Sequence, residues 1–236
     1  MLSFQDAPAA LPPDQRIYAI GDIHGCADRL AALHAAIADD LAHRPIARPL
    51  VLHIGDYVDR GADSAGVIAH LLRPGLLPGI TVVNLMGNHE HTMREALRGE
   101  RAAATDWLFA GGRPTLESYG LDPDGPRAAW AAIPEAHRDF LDGLALSHQA
   151  GGYLFVHAGV RPGVALEAQL PEDLLRIRQP FLYTAQDLGA VVVHGHTPVK
   201  APQIHPNRIA IDTGAVFGGP LTAAVLEGAR VGFLYA

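Results

Sequence analysis

The stretch TVVNLMGNHEHT, residues 81–92, begins as a strand and ends in a row of polar side chains. Thr81, Val82 and Val83 are β-formers and Leu85 and Met86 are apolar, so the segment reads as a buried strand. Gly87 breaks the run, and Asn88, His89, Glu90 and His91 follow at once. Polar groups at the lip of a buried strand need partners or a purpose. One such cluster means little unless other strands end the same way, and they do. AIGDIHG (19–25) ends in Asp22 and His24, HIGDYVDRG (53–61) in Asp56, Asp59 and Arg60, LFVHAG (154–159) in His157, and VVHGHTP (192–198) in His194 and His196. In open α/β sheets ligands sit beyond the carboxyl ends of the strands, so these clusters are expected to converge on one site.

The strands expected are 16–22, 50–56, 80–88, 153–159, 190–196 and 208–214, with a hairpin at the C-terminus. Helices are expected between them. Leu30, Leu33, Ile37 and Leu41 mark one apolar face after Gly25, residues 63–73, 89–98 and 101–110 read as further helices, and Pro134 and Pro171 open two more. The expected organisation is a flexible arm over 1–15 and one α/β domain over 16–236, with the helices of 99–150 forming an insertion or cap.

The chain has 236 residues, 49% of them hydrophobic, a formal net charge of −7 and the single cysteine Cys26. No apolar run approaches the roughly 20 residues a membrane span requires. The acidic balance argues against nucleic acid or anionic membranes as partners. A lone cysteine forms no internal disulfide, which points to the cytoplasm. A monomer is the default expectation.

Asp22 and His24 lie two apart, so in an extended segment they face the same way. Carboxylates, imidazoles and a carboxamide without thiolate suit divalent Mn, Fe, Co or Zn rather than a structural zinc finger. The donors exceed what one tetrahedral ion needs, and two ions sharing Asp56 is the natural solution. Each residue also has a plainer reading. Asp22 caps the following helix, Asp59 and Arg60 form a surface ion pair, and Asn88 serves a turn. His53 packs in the core, while His34, His43, His70, His137 and His205 lie on the surface or in loops. His91 and His194 stand near the site, and Glu90 braces a turn. GGRPTLESYG (111–120) either shapes the substrate pocket or is an ordinary loop.

GDIHG, GDYVDRG, GNHE, HAG and GHTP, in this order between about Ile17 and Gly219, resemble the phosphoprotein phosphatases of the calcineurin-like metallophosphoesterase superfamily. IDTGAVFGGPLTAAVLEG is similar to the bacterial and phage serine/threonine branch. The resemblance implies central mixed β-sheets in a sandwich flanked by helices, with a small helical cap. It implies Asp22 and His24 as ligands of a first metal, Asp56 as the bridge, and Asn88, His157 and His196 as ligands of a second. Manganese is the first expectation, with iron or zinc as alternatives. His196 is preferred to His194 because it directly follows the glycine of GHTP. His89 matches the general acid, Asp59 the carboxylate that orients it, and Arg60 a phosphate clamp. Arg178 is the second clamp, with Arg176 its rival. Pro198 stands where many metallophosphodiesterases carry histidine, which favours phosphatases over nucleases. The implied activity is hydrolysis of phosphoserine or phosphothreonine in proteins, with phosphotyrosine also open, by a metal-bridging hydroxide. Symmetrical diadenosine tetraphosphate hydrolysis is the enzymatic alternative, for which only Tyr57 and Trp107 offer rings to adenine. A non-catalytic phosphate-binding module is the alternative of another class.

Overall fold

A computed structural model describes residues 2–75 and 77–236. The first half alternates strand and helix. It runs β1 (Phe4–Asp6), β2 (Gln15–Ile20), α1 (Ala27–His43), β3 (Arg48–His53), α2 (Ser64–Leu71), β4 (Thr81–Asn84) and α3 (Asn88–Leu97). Helices α4 (Arg101–Trp107), α5 (Arg113–Ser118) and α6 (Glu135–Asp142) follow. The remainder is β5 (Ser147–Ala150), β6 (Tyr153–Val156), α7 (Pro171–Arg176), β7 (Val191–His194), β8 (Gln203–His205), β9 (Arg208–Ala210), β10 (Thr222–Glu227) and β11 (Arg230–Tyr235).

Two sheets result, ordered β1-β11-β10-β2-β3-β4 and β5-β6-β7-β9-β8. Strands β2, β3 and β4 run parallel, as do β6, β7 and β9. Their side chains alternate between faces with a period of two. Ile17, Ala19, Leu50 and Leu52 meet Tyr153, Phe155, Val191 and Val193 in the core between the sheets. Tyr18, Ile20 and Val51 face the other way, onto Leu30, Leu33 and Ile37 of α1. Leu154, Val156 and Val192 pack on Leu174 and Ile177. The molecule is therefore a β-sandwich with a helical layer on each outer face; β2, β3, β6 and β7 are largely apolar because both of their faces are covered, whereas β4, expected to be buried, lies at the sheet edge with Thr81 and Val82 exposed.

Three expectations change. The arm is not loose: Phe4–Asp6 pair with β11, and Leu11 is buried. The helical insertion ends early, because Ser147–Ala150 form the edge strand beside β6. His34 is not at the surface but 3% exposed. It lies on the same stripe of α1 as Leu30 and Ile37, one helical turn from Leu30. There its Nε2 is 2.9 Å from Nε2 of His53 and its Nδ1 is 3.0 Å from Nε2 of His70. His53 shares the parity of Val51 and so faces the helices; its Nδ1 is 2.8 Å from Asn84 Oδ1. Strand β3 and helices α1 and α2 are thus joined by a chain of imidazoles that ends on Asn84 of β4.

Burial lowers His34 to about 2 and His53 to about 4, so both are neutral in the folded protein at neutral pH. The unfolded chain takes up these protons near 6.5. Between about pH 6.5 and 4 it binds protons the folded state refuses, so stability falls on acidification. His34→Gln is expected to flatten the slope of unfolding free energy against pH in this window by up to about 1.4 kcal/mol per pH unit. Urea titrations at a series of pH values measure it, and identical slopes would contradict the buried neutral assignment.

Candidate active site

The loops leaving the parallel strands meet at one end of the sandwich. Backbone conformation there is unusual. His24, Asp56, Asp59, Arg60 and His196 have positive φ of 44°, 53°, 72°, 68° and 63°, and they are the non-glycine residues that do so among those described. Such conformations cost roughly 1–2 kcal/mol each for an L-residue and persist where the surroundings enforce them. Glu90 is a main enforcer. Its buried carboxylate accepts the backbone N–H groups of Asp56 (2.8 Å), Tyr57 (2.8 Å), Val58 (3.1 Å) and Gly87 (3.0 Å). Burial and repulsion from Asp56 push this carboxyl up to about 7, against the pull of those donors. Gly87 is required by proximity: a Cβ there would lie 2.1 Å from Asp56 Oδ1.

Asp56 is the centre. Its Oδ2 lies 3.4 Å from Nε2 of His24 and its Oδ1 lies 3.4 Å from Nε2 of His157. His24 donates Nδ1–H to Val58 O (2.8 Å) and His157 donates Nδ1–H to Ile54 O (3.0 Å), which turns the Nε2 atom of each ring toward Asp56. Asn88 Oδ1 is 3.0 Å from the same His157 Nε2. Two sets of ligand-capable atoms therefore form, one of His24 and Asp56 with His89 adjoining it, the other of Asp56, His157 and His196, each within 4.8 Å of one another. Lone pairs of oxygen and nitrogen face each other across these gaps, an arrangement that cations relieve. Thiolate is absent from both sets, so the donors fit a pair of divalent ions of the Mn, Fe, Co or Zn type.

Asp22 stands apart from both sets. It caps no helix; α1 begins after Cys26, and the Asp22 carboxylate accepts the backbone N–H of His196 at 3.0 Å. Burial, then Asp212 and Asp56, hold its carboxyl well above the usual range. Burial also acts on Asp56, but the imidazoles of His157, His89 and His24 outweigh it and keep that carboxylate well below the usual range. Asp212 is the site residue that sequence reasoning passed over. It is 4% exposed, raised by burial and by Asp56, and it ends a strand segment in IDTG as the other site residues end theirs.

His89 and Asp59 are buried together, with His89 donating Nδ1–H to Asp59 Oδ2 at 2.6 Å. Burial disfavours the imidazolium, yet Asp56 and Asp59 prevail and raise His89 above its ordinary value. Asp59 thus forms no surface pair with Arg60, whose Nη1 is 2.7 Å from His24 Nε2. Arg178 places Nε 3.3 Å from His196 Nε2, whereas Arg176 is engaged with Thr92 (2.7 Å) and Glu172 (3.5 Å). Neither Arg60 nor Arg178 pairs with a carboxylate among the described residues, so both are available to an anion. His194 is buried against Phe181 with ring centroids 4.9 Å apart and belongs to neither donor set. Tyr57 and Trp107 are fully buried and cannot stack on a base. Burial raises the Cys26 thiol, which disfavours a thiolate nucleophile.

Two donor sets sharing one carboxylate, with a histidine–aspartate pair beside them, define a metal-dependent hydrolase. The chain belongs to the calcineurin-like phosphoesterase family, whose sequence profile matches residues 15–230. A bis(5'-nucleosyl)-tetraphosphatase (asymmetrical) of Halalkalibacterium halodurans is 27% identical, with 86% of this chain and 87% of that one covered. Serine/threonine-protein phosphatase 1 of Salmonella typhimurium is 28% identical over 90% of this chain and 93% of its own. A solved structure of a candidate diadenosine tetraphosphatase superposes with a TM-score of 0.68 at 23% identity, covering 97% of this chain and 98% of that one, a likeness of fold. No helix among the described residues is long and apolar enough to cross a membrane.

Asp56→Asn is expected to weaken binding of both ions together, by more than the about 10- to 100-fold typical of changes to groups behind the ligands. Metal analysis after dialysis measures it. Full retention of both ions would contradict a shared carboxylate.

Proposed function

We propose that the protein hydrolyses phosphomonoesters of serine and threonine in proteins. The observation that carries phosphoester hydrolysis is Asp56, with one oxygen toward His24 and the other toward His157, beside the His89–Asp59 pair. Bound divalent ions supply an acidified water and neutralise phosphoryl charge. Arg60 and Arg178 flank the donor sets and hold the equatorial oxygens of the phosphoryl group, where charge gathers. Asp59 accepts Nδ1–H and so keeps the other ring nitrogen of His89 for the leaving oxygen, to which that nitrogen gives its proton. The Salmonella relative, alignable over nearly the whole chain, supports the phosphoprotein branch.

One observation favours a second reading, a dinucleoside polyphosphate. A cavity of about 490 Å³ adjoins Arg60 and is lined also by Arg29, Cys26 and the 215–218 turn. Phe217 on that turn is 66% exposed, and the Arg60 guanidinium lies 5.8 Å from its ring centre. Its exposure would let this ring take a base, which the burial of Tyr57 and Trp107 forbids. Arg29 and Arg60 would meet a polyphosphate there, although Asp28 and Asp63 also line the cavity.

Turnover of a phosphoserine peptide and of diadenosine tetraphosphate by the same manganese-loaded sample separates the readings. Faster cleavage of the peptide is expected; products of ADP alone, or of ATP with AMP, would report the mode of dinucleotide cleavage. Chelation is expected to abolish turnover and manganese to restore it, and full activity in chelator would end the proposal. His89→Asn is expected to keep its metal and to lose about 10²- to 10⁴-fold on the phosphoserine peptide, but less on p-nitrophenyl phosphate, whose leaving group needs little protonation.

A further inference from the structure

The helical insertion reaches the catalytic pair. Asp59 is wholly buried, and while its Oδ2 serves His89, its Oδ1 accepts Trp107 Nε1–H at 2.8 Å and the Thr115 hydroxyl at 2.7 Å. The Asp59 backbone N–H donates to Thr115 Oγ1 (2.9 Å) and to Ser64 Oγ (3.0 Å). The backbone N–H of Arg60 donates to Gly111 O at 2.9 Å. Residues 107–115 thus grip the Asp59–Arg60 dipeptide in its left-handed conformation from one side. The segment is shaped for this. It breaks between α4 and α5 at Gly111, whose φ of 120° suits glycine and turns the chain back toward Asp59 and Arg60. A Cβ on Gly112 would lie 2.7 Å from the Trp107 indole nitrogen, so only glycine lets the ring in. Trp107 is itself fully buried, edge-on to Trp130 at 5.2 Å.

We infer that Trp107 and Thr115 are positioning residues for proton donation, acting on His89 through Asp59. The inference rests on His89 being the general acid. A carboxylate held by one hydrogen bond can pivot, whereas one held by three donors cannot. With Oδ1 taken by the two neutral donors, Oδ2 is the oxygen that accepts Nδ1–H, which fixes the tautomer of the ring. The proton delivered is then the one on the other nitrogen, which passes to the leaving oxygen as the P–O bond breaks. Loss of either donor lets the carboxylate turn and loosens the ring behind it. The effect falls on substrates whose leaving group must be protonated.

Trp107→Phe removes the donor with little change of shape, and Thr115→Val removes the hydroxyl. The full-length, manganese-loaded variants are compared with wild type on phenyl phosphate, a poor leaving group, and p-nitrophenyl phosphate, a good one. Each variant is expected to keep its metal and to lose kcat about 10- to 100-fold on phenyl phosphate, part of the about 10²- to 10⁴-fold a general acid supplies, with a several-fold smaller loss on the nitrophenyl ester. Thr115→Ser, which restores the hydroxyl, is expected to recover most of the loss. In an Asp59→Asn background Trp107→Phe is expected to cost nothing more, since both act along one path. Equal losses on the two esters, or full additivity with Asp59→Asn, would overturn the inference. Should Trp107→Phe fail to fold, the Val and Ser variants at 115 carry the comparison. His89→Asn losing equally on both esters would remove the acid itself, while a selective loss in His89→Asn but not in the Trp107 and Thr115 variants would remove only the role given to the insertion.

Discussion

The site depends on a buried carboxylate that cannot be satisfied by either sheet alone. Asp56 leaves β3 in the first sheet, and of the imidazoles against it His24 comes from the same sheet while His157 follows β6 in the second. The loops of the two sheets are drawn together by groups that repel unless cations lie among them, because Asp22, Asp56 and Asp212 crowd one another. Metal affinity is then coupled to the packing of the sheets, and ions that bind only the folded chain stabilise it by mass action.

Much of this was legible in the sequence, for a physical reason. A parallel strand covered on both faces is apolar to its end, so the first polar residues after it stand out. That contrast marked Asp22, Asp56, Asn88, His157 and His196, and the structure brings His157, His196 and Asp56 together with His24. It also placed β2, β3, β4, β6, β7 and β9 and the helices between them. The resolution of Arg178 against Arg176 was not legible, because the two lie two residues apart and only the fold shows one beside His196 and the other beside Thr92.

Other features gave weak signals or none. His34 sits at a core position of α1, one helical turn from Leu30, so the apolar stripe did point to its burial; its polar type argued the opposite. The short strands β1, β5 and β8 lack an apolar run, because each lies at a sheet edge and shares its hydrogen bonds with one neighbour. Trp107 and Thr115 carry no local pattern that names Asp59, 48 and 56 residues away, as their partner. Contacts of that kind are made by the tertiary fold and leave nothing for periodicity to detect.

The N-terminal segment has an effect at the far end of the molecule. Ala7 and Leu11 donate their backbone N–H groups to Ala229 and Gly228 at the β10–β11 turn, while Ala10 O accepts from Gly152 and Ala9 O from the Tyr153 hydroxyl. The segment therefore laces the first sheet to the second at the end opposite the catalytic loops. A chain trimmed back to β2 would keep every residue of the centre and yet lose this clasp. Its jaws would be free to splay, and the enzyme would leak its ions through damage done at the hinge rather than at the mouth.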